Sequence, residues 1–130
     1  MGTRSTIALE FADGTVQQVY CHWDGYLSGV GAELRSDYSD PFALRELIDG
    51  GDMSSIGSPY TERGEELNVR YFRDFNDYAA NGQDEEYDYI LRCVDGKAAW
   101  FVRCYATEGR FVTFEEAREA EAAEMEEEDF

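Results

Sequence analysis

The sequence predicts an α+β domain: an antiparallel sheet of about four to five strands built from two hairpins, two helices after the first hairpin, and an acidic C-terminal helix. Three observations carry this. The stretches 5–23 and 87–104 alternate apolar with polar residues, and each is broken once by Asp-Gly. Between them, 27–38 and 41–48 set apolar residues at helical spacing. A capping signal then opens a glutamate-rich run that reaches the end of the chain. With 130 residues, 43% hydrophobic and 15% aromatic, the chain reads as one domain that can bury a core and does not belong with disordered acidic chains. The body spans 1–113, and 114–130 form an acidic helix or tail packed on it or extending from it.

In the first hairpin Ile7, Leu9 and Phe11 alternate, "ADGT" turns the chain, and Val19, Cys21 and Trp23 alternate on return. A three-residue loop with Gly14 left-handed sets Leu9 opposite Val19 and Ile7 opposite Cys21, gathering the apolar residues on one face. Trp23 then belongs to the core, while Tyr20 and His22 point to the other face. Leu27, Val30, Leu34 and Tyr38 form a helical stripe, interrupted by Gly29 and Gly31. Asp40 caps a second helix with Pro41 in its first position and Phe42, Leu44, Leu47 and Ile48 on its apolar side; Gly50 and Gly51 end it. Residues 52–66 read as loop with Ile56 packed, 68–73 as a strand, and the segment after it as a helical turn or loop.

The second hairpin fits a two-residue Asp95-Gly96 turn. That register sets Leu91 opposite Trp100, Tyr89 opposite Val102, Asp88 opposite Arg103, and Cys93 opposite Ala98 rather than Cys104. Thr113 and Glu116 complete a capping box for the last helix.

The composition narrows the functions. Cys21, Cys93 and Cys104 lie in strand-like apolar surroundings and read as free, reduced thiols, which suits the cytoplasm. One histidine and no Cys-x-x-Cys make a metal site improbable, and no cofactor is expected. The N-terminal stretch has no secretion-signal pattern, and no apolar run is long enough to span a bilayer. A formal net charge of −18 repels nucleic acid and anionic membrane and favours basic protein surfaces.

Nine carboxylates fall between Glu115 and Asp129 against Arg118 alone, contributing −8 of the −18. As a helix this segment carries about one charge per 2.5 Å of axis at 1.5 Å rise per residue. Duplex DNA carries one per roughly 1.7 Å. A solvated, solubilising face is the plain reading of such a run. The sharper reading is imitation of DNA, with Glu115, Glu116, Glu119, Glu121, Glu124, Glu126, Glu127, Glu128 and Asp129 as partner-binding residues. "DEEYD" supplies a second patch: Asp84, Glu85, Glu86 and Asp88.

Taken together, "TRSTIALEFADGTVQQVYCHWDGYLSGVG" and "LRELIDGGDMSSIG" resemble a group of small phage and prophage proteins, most specifically at "YCHWDGY". The resemblance covers about the first 57 residues well and the rest loosely, and Leu27 stands where the group's pattern more often has Pro. It carries over no catalytic residue. It implies a phage setting in the bacterial cytoplasm, where small acidic proteins frequently disarm host defences as anti-CRISPR or anti-restriction inhibitors.

The leading expectation is therefore a non-enzymatic inhibitor of a host nucleic-acid-binding defence complex, a CRISPR effector or restriction enzyme, acting through a DNA-mimicking acidic surface without touching nucleic acid or membrane. A second reading is a small ligand-binding or enzymatic domain with its pocket at His22, Trp23, Asp24 and Tyr26. Consecutive strand residues leave opposite faces, however, so Cys21 and His22 are poor partners for a nucleophilic pair. A third is an aromatic-rich interaction protein working as a homodimer, since nine Tyr and eight Phe exceed what a domain this small easily buries.

Overall fold

A computed structural model describes residues 3–59 and 68–128. In chain order the strands are β1 (Ser5–Glu10), β2 (Val16–Cys21), β3 (Met53–Ser55), β4 (Ser58–Pro59), β5 (Arg70–Phe72), β6 (Tyr87–Val94), β7 (Lys97–Cys104) and β8 (Val112–Thr113). The helices are α1 (Ala32–Asp37), α2 (Pro41–Asp49), α3 (Phe75–Asn81) and α4 (Phe114–Glu128). Seven strands run in the order β4-β3-β2-β1-β6-β7-β8, and β5 pairs β2 off that path.

The sheet is mixed, which corrects the antiparallel expectation of four to five strands. Both hairpins form, but β1 and β6 join them in parallel from Ser5↔Tyr87 to Leu9↔Leu91. β3 also runs parallel to β2, meeting it at Cys21↔Met53. Part of the expected 52–66 loop is therefore strand, and its portion from 60 onward lies outside the described residues. Between β3 and β5 the outer edge of β2 is completed by a side chain: Asp52 accepts the Tyr20 N–H at 2.8 Å and pairs with Arg70 at 3.0 Å.

The first hairpin differs from expectation by a two-residue slip. Ile7 faces Val19 and Leu9 faces Gln17, around a loop in which Gly14 has φ +91°. Asp13 accepts from both the N–H and the hydroxyl of Thr15, at 2.9 and 2.6 Å, and this tightens the turn one position early. A slip of two keeps every side chain on its face, so Ile7, Leu9, Val19 and Cys21 still enter one core. The second hairpin has the register the Asp95-Gly96 turn requires, with both turn residues at positive φ.

The first stripe holds, but Gly29 breaks it. A wide turn over Leu27–Gly31 precedes α1, and Leu27, Val30 and Leu34 are buried. In α2 the Asp40 carboxylate accepts the Phe42 N–H and Leu44 and Ile48 are buried, whereas Phe42 itself is 79% exposed. Trp23, also expected in the core, is 45% exposed: its backbone still bonds to β3 at the Ser54 carbonyl, beyond the β2–β1 pairing that ends at Cys21, and the chain turns away at Asp24, φ +57°. Cys93 lies exposed near the hairpin tip, while Cys21 and Cys104 are buried; all three thiols are free.

Residues of α1, α2 and α4 pack on one sheet face with Tyr89, Leu91, Trp100 and Val102. The other face is covered by α3, whose Tyr78 sits with Ala8, Val16, Ile90 and the rings of Phe72, Phe75 and Phe111. Beside it lies a buried polar cluster. Asp88 accepts from the Thr6 hydroxyl at 2.6 Å, the Glu85 N–H at 3.2 Å and two nitrogens of Arg103 at 3.2 Å.

Burial raises the Asp88 carboxyl from 3.8 to about 6, outweighing the Thr6 hydroxyl and the Arg103 charge. A carboxyl raised in the folded state stabilises the fold below its unfolded pKa, and that contribution is lost as pH rises through about 6. In urea unfolding, the stability of the parent chain minus that of Asp88→Asn should therefore be greatest near pH 4 and shrink by up to about 3 kcal/mol towards pH 6.5. Parallel stability curves for the two proteins would contradict this role.

Candidate functional site: an acidic groove at one end of the sheet

Register fixes the site. Across the sheet, Cys21 pairs Ser5, Ser5 pairs Tyr87, and Tyr87 pairs Cys104, so these four form one row. Everything just beyond the row emerges at the same end of the sheet. That includes Glu86 before β6, Tyr105 after β7, and His22 to Tyr26 after β2.

A groove of about 900 Å³ opens at this end between the sheet, the turn after β7 and α4. Its carboxylates are Asp84, Glu85, Glu86, Glu108, Glu121 and Glu124, and Arg103 is the one cation among its lining residues. Arg103 is only 12% exposed and is paired with buried Asp88 at 3.2 Å and, more distantly, with the groove's Asp84 at 4.0 Å. The two acidic segments, well separated in sequence, thus face one another across a single depression.

The α4 side of the groove follows from helical spacing. Thr113 accepts the Glu116 N–H and Glu116 accepts the Thr113 N–H, each at 3.2 Å, so the expected capping box starts the helix. Phe114 and Ala117 are buried. Glu121 and Glu124 continue their stripe at i+7 and i+10, which turns them towards the body of the protein rather than out to water. The Tyr87 hydroxyl donates to Glu121 at 2.5 Å, tying the helix to the first residue of β6. Burial, then the bond to Glu121, raises the Tyr87 phenol well above its ordinary value, so it remains a donor at any physiological pH.

The residues expected to bind a partner thus divide. Asp84, Glu85, Glu86, Glu121 and Glu124 line the groove. Asp88 does not join them: as a strand residue its side chain turns inward, where it is fully buried and paired with Arg103. Glu116 serves the cap, and Glu115 is bonded to Arg35 at 3.0 Å and Arg118 at 3.4 Å. Glu119 is exposed on α4. Glu126, Glu127 and Glu128 belong to the helix by backbone, their side chains and Asp129 lying outside the described residues. The expectation missed Glu108, Tyr87 and Tyr105. Glu108 follows the short turn Tyr105–Thr107 in a left-handed conformation, φ +56°, and no spacing pattern marks it.

The four residues of the second reading stay together as a structural unit. His22 Nδ1 and the Tyr20 hydroxyl are hydrogen-bonded at 2.7 Å, and the rings of His22 and Trp23 meet edge-on at 4.6 Å. Asp24 takes φ +57°, and Tyr26 is 40% exposed. These residues line neither the acidic groove nor a second groove of about 590 Å³ between α1 and α4. Burial pushes the neighbouring Cys21 thiol up to about 11, far from a reactive thiolate. Among the described residues no cluster of His, Cys, Asp and Glu is arranged to hold a metal ion, and no helix is long and apolar enough to cross a membrane.

No family model, curated protein or solved structure matches the chain.

Tyr87→Phe removes the bond to Glu121 and keeps the ring. It should lower stability by about 1–2 kcal/mol and speed amide hydrogen exchange in the second half of α4. Unchanged exchange there would show that the helix is held by Phe114 and Ala117 alone.

Proposed function

We propose that this protein is a non-enzymatic inhibitor that occupies the basic nucleic-acid channel of a host defence complex, a CRISPR effector or a restriction enzyme, in the bacterial cytoplasm. One observation carries the reading: six carboxylates from three separate segments are gathered round one groove whose only lining cation is already paired. Solubility alone asks for scattered charge, not for like charges held face to face. Gathering them raises the local negative potential, and fixed anionic groups are what a channel built for phosphates accepts in place of its own ligand. The resemblance of about the first 57 residues to phage proteins suits the setting.

The reading is distinguished from an enzyme by what surrounds the carboxylates. A carboxylate acid–base pair needs environments that push the two pKa values apart. Asp88, whose carboxyl is raised by burial, lies in the core paired with Arg103 and does not line the groove.

The test is competition. Across a panel of purified CRISPR effectors and restriction enzymes, the protein should displace labelled duplex from its target, with affinity falling at least about tenfold from low salt to about 0.5 M. Asp84→Asn, Glu86→Gln and Glu124→Gln together should weaken the same competition by at least about tenfold, through lost charge at unchanged shape. Displacement insensitive to both salt and neutralisation would overturn the reading.

A further inference from the structure

The geometry points to a second component of the binding surface, resting on the reading above: an aromatic platform formed by Trp23 and Tyr105, at the same end of the sheet as the acidic groove, that stacks arginine side chains of the basic partner. Exposed aromatic rings are costly to leave in water, and Trp, Tyr and Arg dominate the energetics of interfaces. Tyr105 is 86% exposed and lines the groove itself. Trp23 is 45% exposed and leaves β2 just beyond the row that Tyr87 and Cys104 complete. Trp23 follows β2 and Tyr105 follows β7, three strand spacings or about 14 Å apart across the sheet, so both rings and the groove fit within one interface of standard size.

Trp23 is held in place rather than merely left outside. Its backbone N–H donates to the Ser54 carbonyl at 2.8 Å, which anchors the main chain, and the ring itself meets His22, bonded to Tyr20, edge-on at 4.6 Å. The next turn is locked down on the sheet end. Gly25 donates to the Thr3 carbonyl at 2.8 Å and accepts from the Tyr89 hydroxyl at 2.7 Å. A Cβ at Gly25 would stand 2.7 Å from that of Ser5, so only glycine allows this approach. A ring fixed before binding loses little freedom when it binds.

The occupant follows from charge. Tyr105 lies among the groove's carboxylates and Trp23 at the same sheet end, and a flat ring in so acidic a setting suits a planar cation, which can stack on the ring while its N–H groups reach acids. Arginine meets both demands; lysine meets the charge but stacks less well. Arg4, exposed between the loop and Glu86, is the element that opposes such a partner.

Nona-arginine and nona-lysine peptides, equal in charge, test this by calorimetry and tryptophan emission at low salt. Trp23 and buried Trp100 are the only tryptophans, so a change in emission on binding reports chiefly on Trp23. Nona-arginine should bind tighter and alter the emission. Trp23→Ala and Tyr105→Ala should each weaken nona-arginine by about tenfold and nona-lysine by less than about twofold. Trp23→Phe should restore most of the loss, and Phe42→Ala, an exposed ring away from this row, should change neither peptide. Equal binding of both peptides, or aromatic variants without effect, overturns the platform. The acidic reading survives that outcome if neutralising Asp84, Glu86 and Glu124 still weakens both peptides, and falls with the platform if it does not. Failure of both peptides to bind overturns the platform as well.

Discussion

The in-register parallel pairing of β1 with β6 is the constraint on which the rest depends. It joins two hairpins that are each locally determined and places Ser5 beside Tyr87. From that one alignment follow the row across the sheet, the common end at which Glu86, Tyr105 and Trp23 emerge, and the burial of Asp88 beside Thr6. The pairing is stabilised from both faces. Tyr89 packs with the α1–α2–α4 core and reaches Gly25, while Ile90 packs under Tyr78 of α3. A slip of one residue would exchange these two sets and place Asp88 in the apolar core.

A chain of net charge −18 works against its own compactness, and the arrangement of the few cations shows where that repulsion is relieved. Arg103 neutralises Asp88, Arg70 pairs with Asp52, Arg92 with Glu10, and Arg35 with Glu115. Each of these pairs ties one element to another. The groove is left without such compensation, apart from Arg103 at its floor, and the Tyr87–Glu121 bond holds its walls by a neutral donor instead of a cation. Four of the eleven cations are thus committed to holding separate segments together.

Much of this was legible in the sequence where a local rule decides the structure. The Asp95-Gly96 turn fixes the whole β6–β7 register, Asp40-Pro41 starts α2, and Thr113 with Glu116 starts α4, since each depends on neighbours within a few residues. Long-range pairing was not legible: nothing within Ser5–Leu9 or Tyr87–Leu91 announces that they run parallel, because the intervening crossover sets the direction. Composition also misleads inside elements. "DEEYD" reads as one acidic patch, yet strand geometry sends Asp88 inward while Glu86 stays out. The stripe from Phe114 and Ala117 to Glu121 and Glu124 is visible in the spacing, but the charge of the last two disguises that they face the body. Trp23 reads as core by alternation, yet it lies beyond the last β1–β2 pair, Ser5↔Cys21, with only β3 beside it.

The most direct measurement is chemical-shift mapping of the isotope-labelled protein titrated with nona-arginine at low salt. Perturbations should cluster at the Trp23 indole and the amides of Glu86, Tyr105, Glu108 and Glu121, and fade together as salt is added. Shifts scattered over α2, β5 and the Asp95-Gly96 turn, with that end of the sheet silent, would contradict this.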